Sequence, residues 1–431
     1  MNTARILTLG SLFPGLRPLR HRNFALYWGG LTVSIVGDWM ETTTTAWLLY
    51  DITRSPVLLG LGGALRAASI IVFGLIGGAV ADRFSRRRLL FMTQSAFALS
   101  SLALGILVVT GRVEVWHIYV FNAVNGAIGS FDAPARRSLF PTLVPRSEMQ
   151  NAVMLNASIF RVGRLIGPGL AGVIIALYGP AVAYFVNVVS YAAILVALAA
   201  MRVVEPPLRA TGPLLRSAAQ GLAYSLGRPL LRSVLILESV HSFFGINTAL
   251  ITILASDVLH AGPEGLGLLL SSQAVGALIG TTFLVMTGDI EHKGRAMIAA
   301  GATYCVAFAA LAAATSFEVA AVLIGVCGLS DALWTTMRNT IFQLQTEEAY
   351  RGRAMGVILL AGRGFTQASQ LETGVAISFG GPGFAMLTGA ALIGASLLAV
   401  NARTADVRSF RGSPDPIGAA AAVADPPGGA D

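Results

Sequence analysis

Apolar runs of about twenty residues or more succeed one another from residue 24 to residue 401, with short polar breaks between them. In helical form each run matches the hydrocarbon thickness of a bilayer. The pattern predicts helices over about 24–50, 57–80, 89–110, 115–137, 152–178, 181–200, 230–255, 264–287, 296–315, 318–340, 353–378 and 382–401. Several runs exceed the minimum length, so those helices tilt or project past the membrane. The longest internal break, 202–229, carries Glu205-Pro206-Pro207 and divides the chain into six spans and six. The expected organisation is a tail over 1–23, a first bundle over 24–201, a linker over 202–229, a second bundle over 230–401, and a disordered Ala-, Gly-, Pro- and Asp-rich tail over 402–431.

The breaks alternate in charge. One set holds Arg83, Arg86, Arg87 and Arg88; then Arg136, Arg137 and Arg146; then Arg202, Arg209, Arg216 and Arg228; then Lys293 and Arg295; and last Arg351 and Arg353. The other set holds only Arg54 and Arg112 as fixed cations. Positive loops stay in the cytoplasm, which places the first set and both termini there. The halves echo each other weakly. Gly78-Ala79-Val80-Ala81-Asp82 closes the second span and Gly288-Asp289 the eighth, while Arg136 near the end of the fourth span matches Arg338 near the end of the tenth. Six spans repeated as six is a pattern of secondary transporters.

Composition agrees. The chain is 55% hydrophobic and 12% charged, with a mean hydropathy of +0.70, against about 25% charged residues in a soluble domain. The net charge of +8 does not point to nucleic acid, because the basic residues sit in the breaks that set orientation. Lys293 is the sole lysine and lies between His292 and Gly294. A phosphate-binding loop ending in Gly-Lys-Ser/Thr is therefore absent from the sequence, and so is an intramembrane lysine for a Schiff base. Cys305 and Cys327 fall in apolar runs and read as inert buried thiols. With no Cys/His spacing for a metal and no Ser/His/Asp set, neither cofactor nor enzymatic activity is expected. Arg5, Arg17, Arg20 and Arg22 precede the first span without an acid or a small-residue cleavage site, which reads as a cytoplasmic tail.

The loop after the second span reads Gly78-Ala79-Val80-Ala81-Asp82-Arg83-Phe84-Ser85-Arg86-Arg87-Arg88. It resembles the G-x-x-x-D-R-x-G-R-R motif of the major facilitator superfamily, with Ser85 in place of a glycine. Gly37-Asp38-Trp39, Asp132-Ala133-Pro134-Ala135-Arg136, Ile166-Gly167-Pro168 and Arg351-Gly352-Arg353 are similar to the branch that contains the bacterial enterobactin exporter. The likeness covers about residues 17–400. It implies an all-α membrane protein of twelve helices in two six-helix bundles around a central cavity. It also implies a monomer in the cell inner membrane that exports a small organic molecule, such as a siderophore, drug or other metabolite, by proton antiport and alternating access. In the family the loop is a latch. Gly78 lets helices approach closely. Asp82 faces the positive N-terminus of span eleven near Arg353, and Arg83, Arg86 and Arg87 form pairs that break as the halves rock. The bland alternative is a loop that only sets topology. Span five carries Gly163, Gly167, Pro168 and Gly172, similar to the G-x-x-x-G-P-x-x-G-G antiporter motif, with Ala171 replacing a glycine; close packing alone would also explain it.

Charge inside a bilayer is costly and needs a reason. Asp38 and Glu41 lie in span one with Thr42 and Thr45, and Arg66 lies in span two, where it can pair with Asp38. A carboxyl withdrawn from water takes up a proton near neutrality, so Glu41 is the leading proton carrier, and Asp38 with Arg66 either couples too or merely neutralises itself. Asn122, Asn125, Gly129, Asp132 and Arg136 recur at intervals of three and four on one face of span four. The two asparagines are expected on the cavity, and Asp132 and Arg136 in gating. The second half offers Glu238 and His241, Asp331 with Arg338, and Arg363, Gln367 and Gln370. His241 can titrate near physiological pH, although a lone helical histidine more often bonds a neighbour. Phe243 and Phe244 suit an apolar ligand or simple packing.

The expected partners are a small-molecule substrate, protons and the lipid bilayer. A proton-coupled uptake symporter uses the same fold with the opposite coupling, and a membrane sensor or chaperone would need no polar cavity. Topology is tested directly. Tags at the N-terminus and beside Arg216 should be inaccessible from outside sealed cells, and labelling of either from that side overturns the charge reading.

Overall fold

A computed structural model describes residues 14–81, 84–202, 214–403 and 405–410 of the chain. Asp82 and Arg83 lie outside the described residues, as does the packing around Gly78. Among the described residues every regular element is helical. A short turn over Pro14–Arg20 leads into α1 (Arg22–Thr53), α2 (Pro56–Ala81), α3 (Arg86–Val109), α4 (Val115–Leu139), α5 (Met149–Tyr178) and α6 (Pro180–Ala200). The linker contains α7 (Leu214–Gly227). The second half comprises α8 (Pro229–Phe244), α9 (Thr248–Ile253), α10 (Gly262–Thr287), α11 (Lys293–Leu311), α12 (Phe317–Leu344), α13 (Glu348–Arg403) and the short α14 (Ala405–Ser409). Nine helices among the described residues are long and apolar enough to cross a membrane. Helices α1 and α4 span 32 and 25 residues and fall outside that group. They are also the helices that carry Asp38, Glu41, Asn122, Asn125 and Asp132. The last of the nine, α13, reverses at Gly381, where φ is 78°, into two legs.

Local chemistry sets several boundaries. Ser85, which stands where the superfamily has glycine, caps α3 by accepting from the Arg88 N–H. Gly179 at φ 81° followed by Pro180 turns α5 into α6, and Gly381-Pro382 does the same at the matching place in the second half. The continuous seventh span expected over 230–255 is in fact broken after Phe244. The Ile246 N–H donates to the Tyr304 hydroxyl at 2.7 Å, and the Asn247 side chain caps α9 by accepting from Leu250 N. The freed backbone is thus answered by protein groups, the condition for irregular chain at membrane depth. A π-helical turn over Leu254–Val258 extends this span.

In the first half α1 packs on α5 and α6, α2 on α4, and α3 on α4 and α6; in the second, α10 and α11 pack on α12, and α8 on α13. The halves meet along α2 against α13 and α5 against α10. At the end of the molecule that carries Arg54, here the distal end, these crossings are very close. A Cβ on Gly374 would lie 2.3 Å from the Pro56 carbonyl oxygen, and one on Gly267 would lie 2.4 Å from that of Pro168. Tyr50 donates to Asp257, and Arg54 reaches Ser256 at 3.4 Å, both across the same seam. The linker helix α7 lies on the first leg of α13, with Tyr224 stacked on Tyr350 at 4.4 Å and Arg228 paired with Glu347.

Candidate functional site

A cavity of about 370 Å³ lies between the halves. Helix α1 supplies Asp38, Trp39 and Thr42, and α2 supplies Arg66. Asn122 and Arg136 come from α4, and Phe160 and Arg164 from α5. The second half contributes Asn247 at the break between α8 and α9, Gln273 on α10, and Gln367 and Gln370 on α13. The two glutamines are joined at 2.9 Å. Asn247 donates to Ser369 and Thr373 at 3.1 and 2.7 Å, which fixes the break against α13.

The expected pair of Asp38 and Arg66 does not form. Asp38 accepts instead from the Tyr191 hydroxyl on α6 at 2.6 Å, and Arg66 has no carboxylate of the described residues within ion-pair distance. Glu41 is absent from the cavity wall. It is buried between α1, α3 and α6, where Ser101 donates to it and Asn187 donates at 2.8 Å. Thr42 and Thr45 both line the cavity, and the Thr45 hydroxyl is also hydrogen-bonded to that of Tyr184 at 3.0 Å. The polar stripe of α4 splits. Asn122 and Arg136 reach the cavity, whereas Asn125 is buried away from the wall, and Asp132 is fully buried against Thr93 at 3.0 Å, Gln94 at 2.8 Å and Arg136.

Glu238 and His241 lie off the cavity, inside the second half. Glu238 pairs with Arg338, accepts from Trp334 Nε1 at 2.9 Å and from Ser242 at 3.1 Å. Arg338 is thus Glu238's partner, not that of Asp331. Asp331 meets His241 Nε2 at 3.3 Å, and the imidazole sits against Tyr304 and Trp334, with centroids at 4.4 and 5.0 Å.

Of the loop residues, Arg87 donates to the carbonyls of Leu198 and Ala199 at 2.6 and 3.0 Å, answering the exposed C-terminus of α6. Arg86 opens α3. Arg353 lies over the Tyr350 ring at 5.6 Å, and its backbone carbonyl is where a Cβ on Gly221 of α7 would collide. In α5, Gly163 and Gly167 face α1, while Gly172 faces Pro263 and Glu264 of α10. The motif around Pro168 thus touches its own half with one end and the other half with the next.

Against this geometry, the profile of the transmembrane secretion effector family of the major facilitator superfamily matches residues 14–413. The chain belongs to that family. This major facilitator transporter is 24% identical over 381 residues to the enterobactin exporter of Shigella boydii serotype 4, which covers 85% of the chain and 88% of that relative. It is 27% identical over 144 residues to the staphyloferrin A transporter of Staphylococcus aureus, and 28% identical over 148 residues to an uncharacterized MFS-type transporter of Bacillus subtilis. The chain spans only 36% and 34% of the length of these last two relatives. Among solved structures, an auto-inhibited peptide transporter of the POT family superposes with a TM-score of 0.69 at 14% identity, covering 91% of the chain and 98% of that protein. A bacterial homologue of the lysosomal transporter Spinster, inward-facing and unoccupied, gives 0.68 at 15% identity, covering 91% and 99%. These likenesses show the fold. The family and its relatives are transporters, not enzymes.

Sequence reasoning missed several residues of the transporter's cavity and its supports. Arg164 carried a usable signal, a charge inside the apolar run 152–178. Asn247 carried another, following Gly245 where a span breaks. Tyr191 and Asn187 gave none, because hydroxyls and amides are common in packed membrane helices.

The placement of Glu238 and Arg338 inside the second half predicts a structural role. Removing one partner strands a buried charge at a cost of about 3–5 kcal/mol, whereas replacing both with apolar residues of similar size costs far less. Arg338→Met should lower the melting temperature of the purified protein sharply, and Glu238→Leu with Arg338→Met should restore much of it. An undiminished melting temperature in the single variant would remove the pair from the framework.

Proposed function

We propose that this transporter exports a small organic molecule across the cell inner membrane by alternating access, in exchange for protons, with both termini cytoplasmic. The observation that carries the reading is a polar cavity sealed distally, between Tyr50 and Asp257, with one carboxylate, Asp38, on its wall. With the termini inside, the seal lies on the outer side, and the cavity is the cytoplasm-facing site of the cycle. The name of the Shigella relative supports the outward direction.

Asp38 is the proton carrier this geometry favours, and Glu41, one turn along and held behind the wall, is its buried neighbour. A hydrogen bond to an ionised acceptor is about twice as strong as a neutral one. Proton uptake by Asp38 would therefore loosen the Tyr191 tether that joins α1 to α6 and free α1 to move against the second half. Each proton entering yields about 2.3 kcal/mol per 100 mV of potential, enough to drive uphill export without ATP. The loop residues Gly78, Asp82, Arg83 and Arg353 serve as the cytoplasmic latch, closed only when the distal seal is open.

A thermal-shift screen of siderophores, drugs and metabolites supplies a ligand, and its accumulation in inside-out vesicles on an imposed proton gradient tests the reading. Accumulation is expected; gradient-driven release instead would make the protein an uptake symporter. Asp38→Asn should reduce accumulation at least tenfold while the ligand still raises the melting temperature, with Glu41→Gln less affected. Gradient-driven accumulation at the wild-type rate in Asp38→Asn would take that residue out of the proton path.

The latch has its own test. Asp82→Asn leaves every loop arginine in place, and acids count little in topology, so insertion should be normal. Losing a contact made in one access state by about 1.4 kcal/mol shifts the two states tenfold. Turnover should fall, and spin-label distances between the cytoplasmic ends of spans two and eleven should lengthen. Wild-type turnover with wild-type distances would refute the latch.

A further inference from the structure

The charge on the cavity wall is lopsided in sign and in origin. Its ionisable lining residues are Asp38, Arg66, Arg136 and Arg164, all from the first half. Three guanidinium groups face one carboxylate on the wall, and with Asp132 paired to Arg136 behind it the excess is one positive charge. The part of the wall supplied by the second half is neutral, made of amides and hydroxyls such as Gln273, Gln367 and Gln370 with apolar Ile246 and Leu270. Arg136 has a counter-ion, Asp132, buried behind it, yet its Nη1 is buried without a hydrogen-bond partner. Arg66 and Arg164 have no carboxylate within ion-pair distance among the described residues. Asp331 lies within electrostatic range of Arg164 but is off the wall and is engaged by His241 at 3.3 Å.

Two of the arginines are also set on aromatic rings of the same wall. The Arg164 guanidinium lies 5.9 Å from the Trp39 ring centroid, and that of Arg136 lies 6.0 Å from the Phe160 ring centroid. At that distance each ring attracts the cation without covering it, and a guanidinium edge carries the forked donors that fit a carboxylate. Fixed positive charge inside a membrane protein is retained at a cost. Here the charge is concentrated on one wall, beside flat apolar faces.

We propose that the substrate is a soluble organic anion, a carboxylate or similar oxyanion carried on an aromatic body. The arginines of the first half bind the charge, the rings of Trp39 and Phe160 flank the body, and the neutral amides of the second half read its hydroxyl and carbonyl groups. The proposal rests on the reading of this cavity as the transport site, but not on the direction or ion coupling of transport. An anion moving outward is itself driven by an inside-negative potential.

The test uses three probes that share one aromatic body: naphthalene-2-carboxylate, naphthalene-2-carboxamide and 2-naphthylmethylammonium. Binding of each radiolabelled probe to the purified full chain is measured by equilibrium dialysis. The carboxylate should bind at least tenfold tighter than the amide, and the ammonium more weakly than both. Arg66→Gln with Arg164→Gln should cut the preference for carboxylate over amide at least fivefold. Arg66→Lys with Arg164→Lys, which keeps the charge, should retain a clear part of it, so loss of the fold is distinguishable from loss of recognition. Gln370→Leu should weaken carboxylate and amide alike. An ammonium that binds as well as the carboxylate, an unchanged preference in the double glutamine variant, or no binding of any probe at millimolar concentration would overturn the proposal. None of these results depends on a proton gradient, so failure of the exporter reading in vesicles leaves this measurement standing, and failure here leaves that one standing.

Discussion

Hydrocarbon offers polar groups nothing, so every intramembrane donor, acceptor and charge must be answered by protein or face a cavity. That constraint orders the rest of this structure. It gathers Glu41, Asn187 and Ser101 into one buried set, Asp132, Thr93, Gln94 and Arg136 into a second, and Glu238, Trp334 and Arg338 into a third. It also explains why α1 and α4 fall short of the hydropathy of the other spans. They hold what the cavity and the first-half clusters need, and their polar faces are turned away from lipid. Where the seventh span breaks, the same rule recruits the Tyr304 hydroxyl and the Asn247 side chain to the freed backbone.

The two halves meet by a different principle. Their seam relies on glycines that let backbone touch backbone, as at Gly374 against Pro56 and Gly267 against Pro168. Without a hydrophobic drive between helices in lipid, close packing carries the association. Such contacts can be made at one end and given up without stranding a charge. The ion pairs buried at Arg338 and Arg136 lie within halves and would be expensive to break. The protein thus keeps its costly interactions inside rigid bodies and leaves cheaper ones at the interface between them.

Much of this was legible in the sequence. The all-helical membrane fold and the superfamily follow from apolar run length and from the residues of the second loop, because hydrocarbon thickness fixes the first and a specific motif fixes the second. Which side of a helix faces the cavity was not legible. Asp38 and Glu41 are three residues apart, so their directions differ by only about 60° around the helix axis, and both lie on a face that is polar throughout. Packing of α1 against α6 decides the matter, putting Asp38 on the wall and Glu41 behind it. The same rotation separates Asn122 from Asn125. The broken seventh span and α7 were hidden for another reason: an apolar run does not record a local break, and a linker of mixed polarity does not announce a helix docked on its neighbour. Arg164 could have been found by scanning every apolar run for charge.

The repeat is visible in backbone where it is faint in sequence. Gly179-Pro180 and Gly381-Pro382 make the same turn in each half, and among the described residues the non-glycine positions with positive φ are Arg54 and His260, at the distal ends of the first and seventh spans. Duplicated backbone has not kept duplicated chemistry. Arg136 lies in the last turn of α4 and Arg338 in the latter part of α12, yet Arg136 reaches the cavity while Arg338 is sealed inside its half by Glu238. The first half therefore presents charge to the cavity, and the second presents neutral hydrogen-bonding groups. A wall charged on one side only can hold a ligand's ionic group in the first half while the second half moves past it. An ion pair spanning both halves would tie them together, and the scaffold avoids that by burying the second half's arginine.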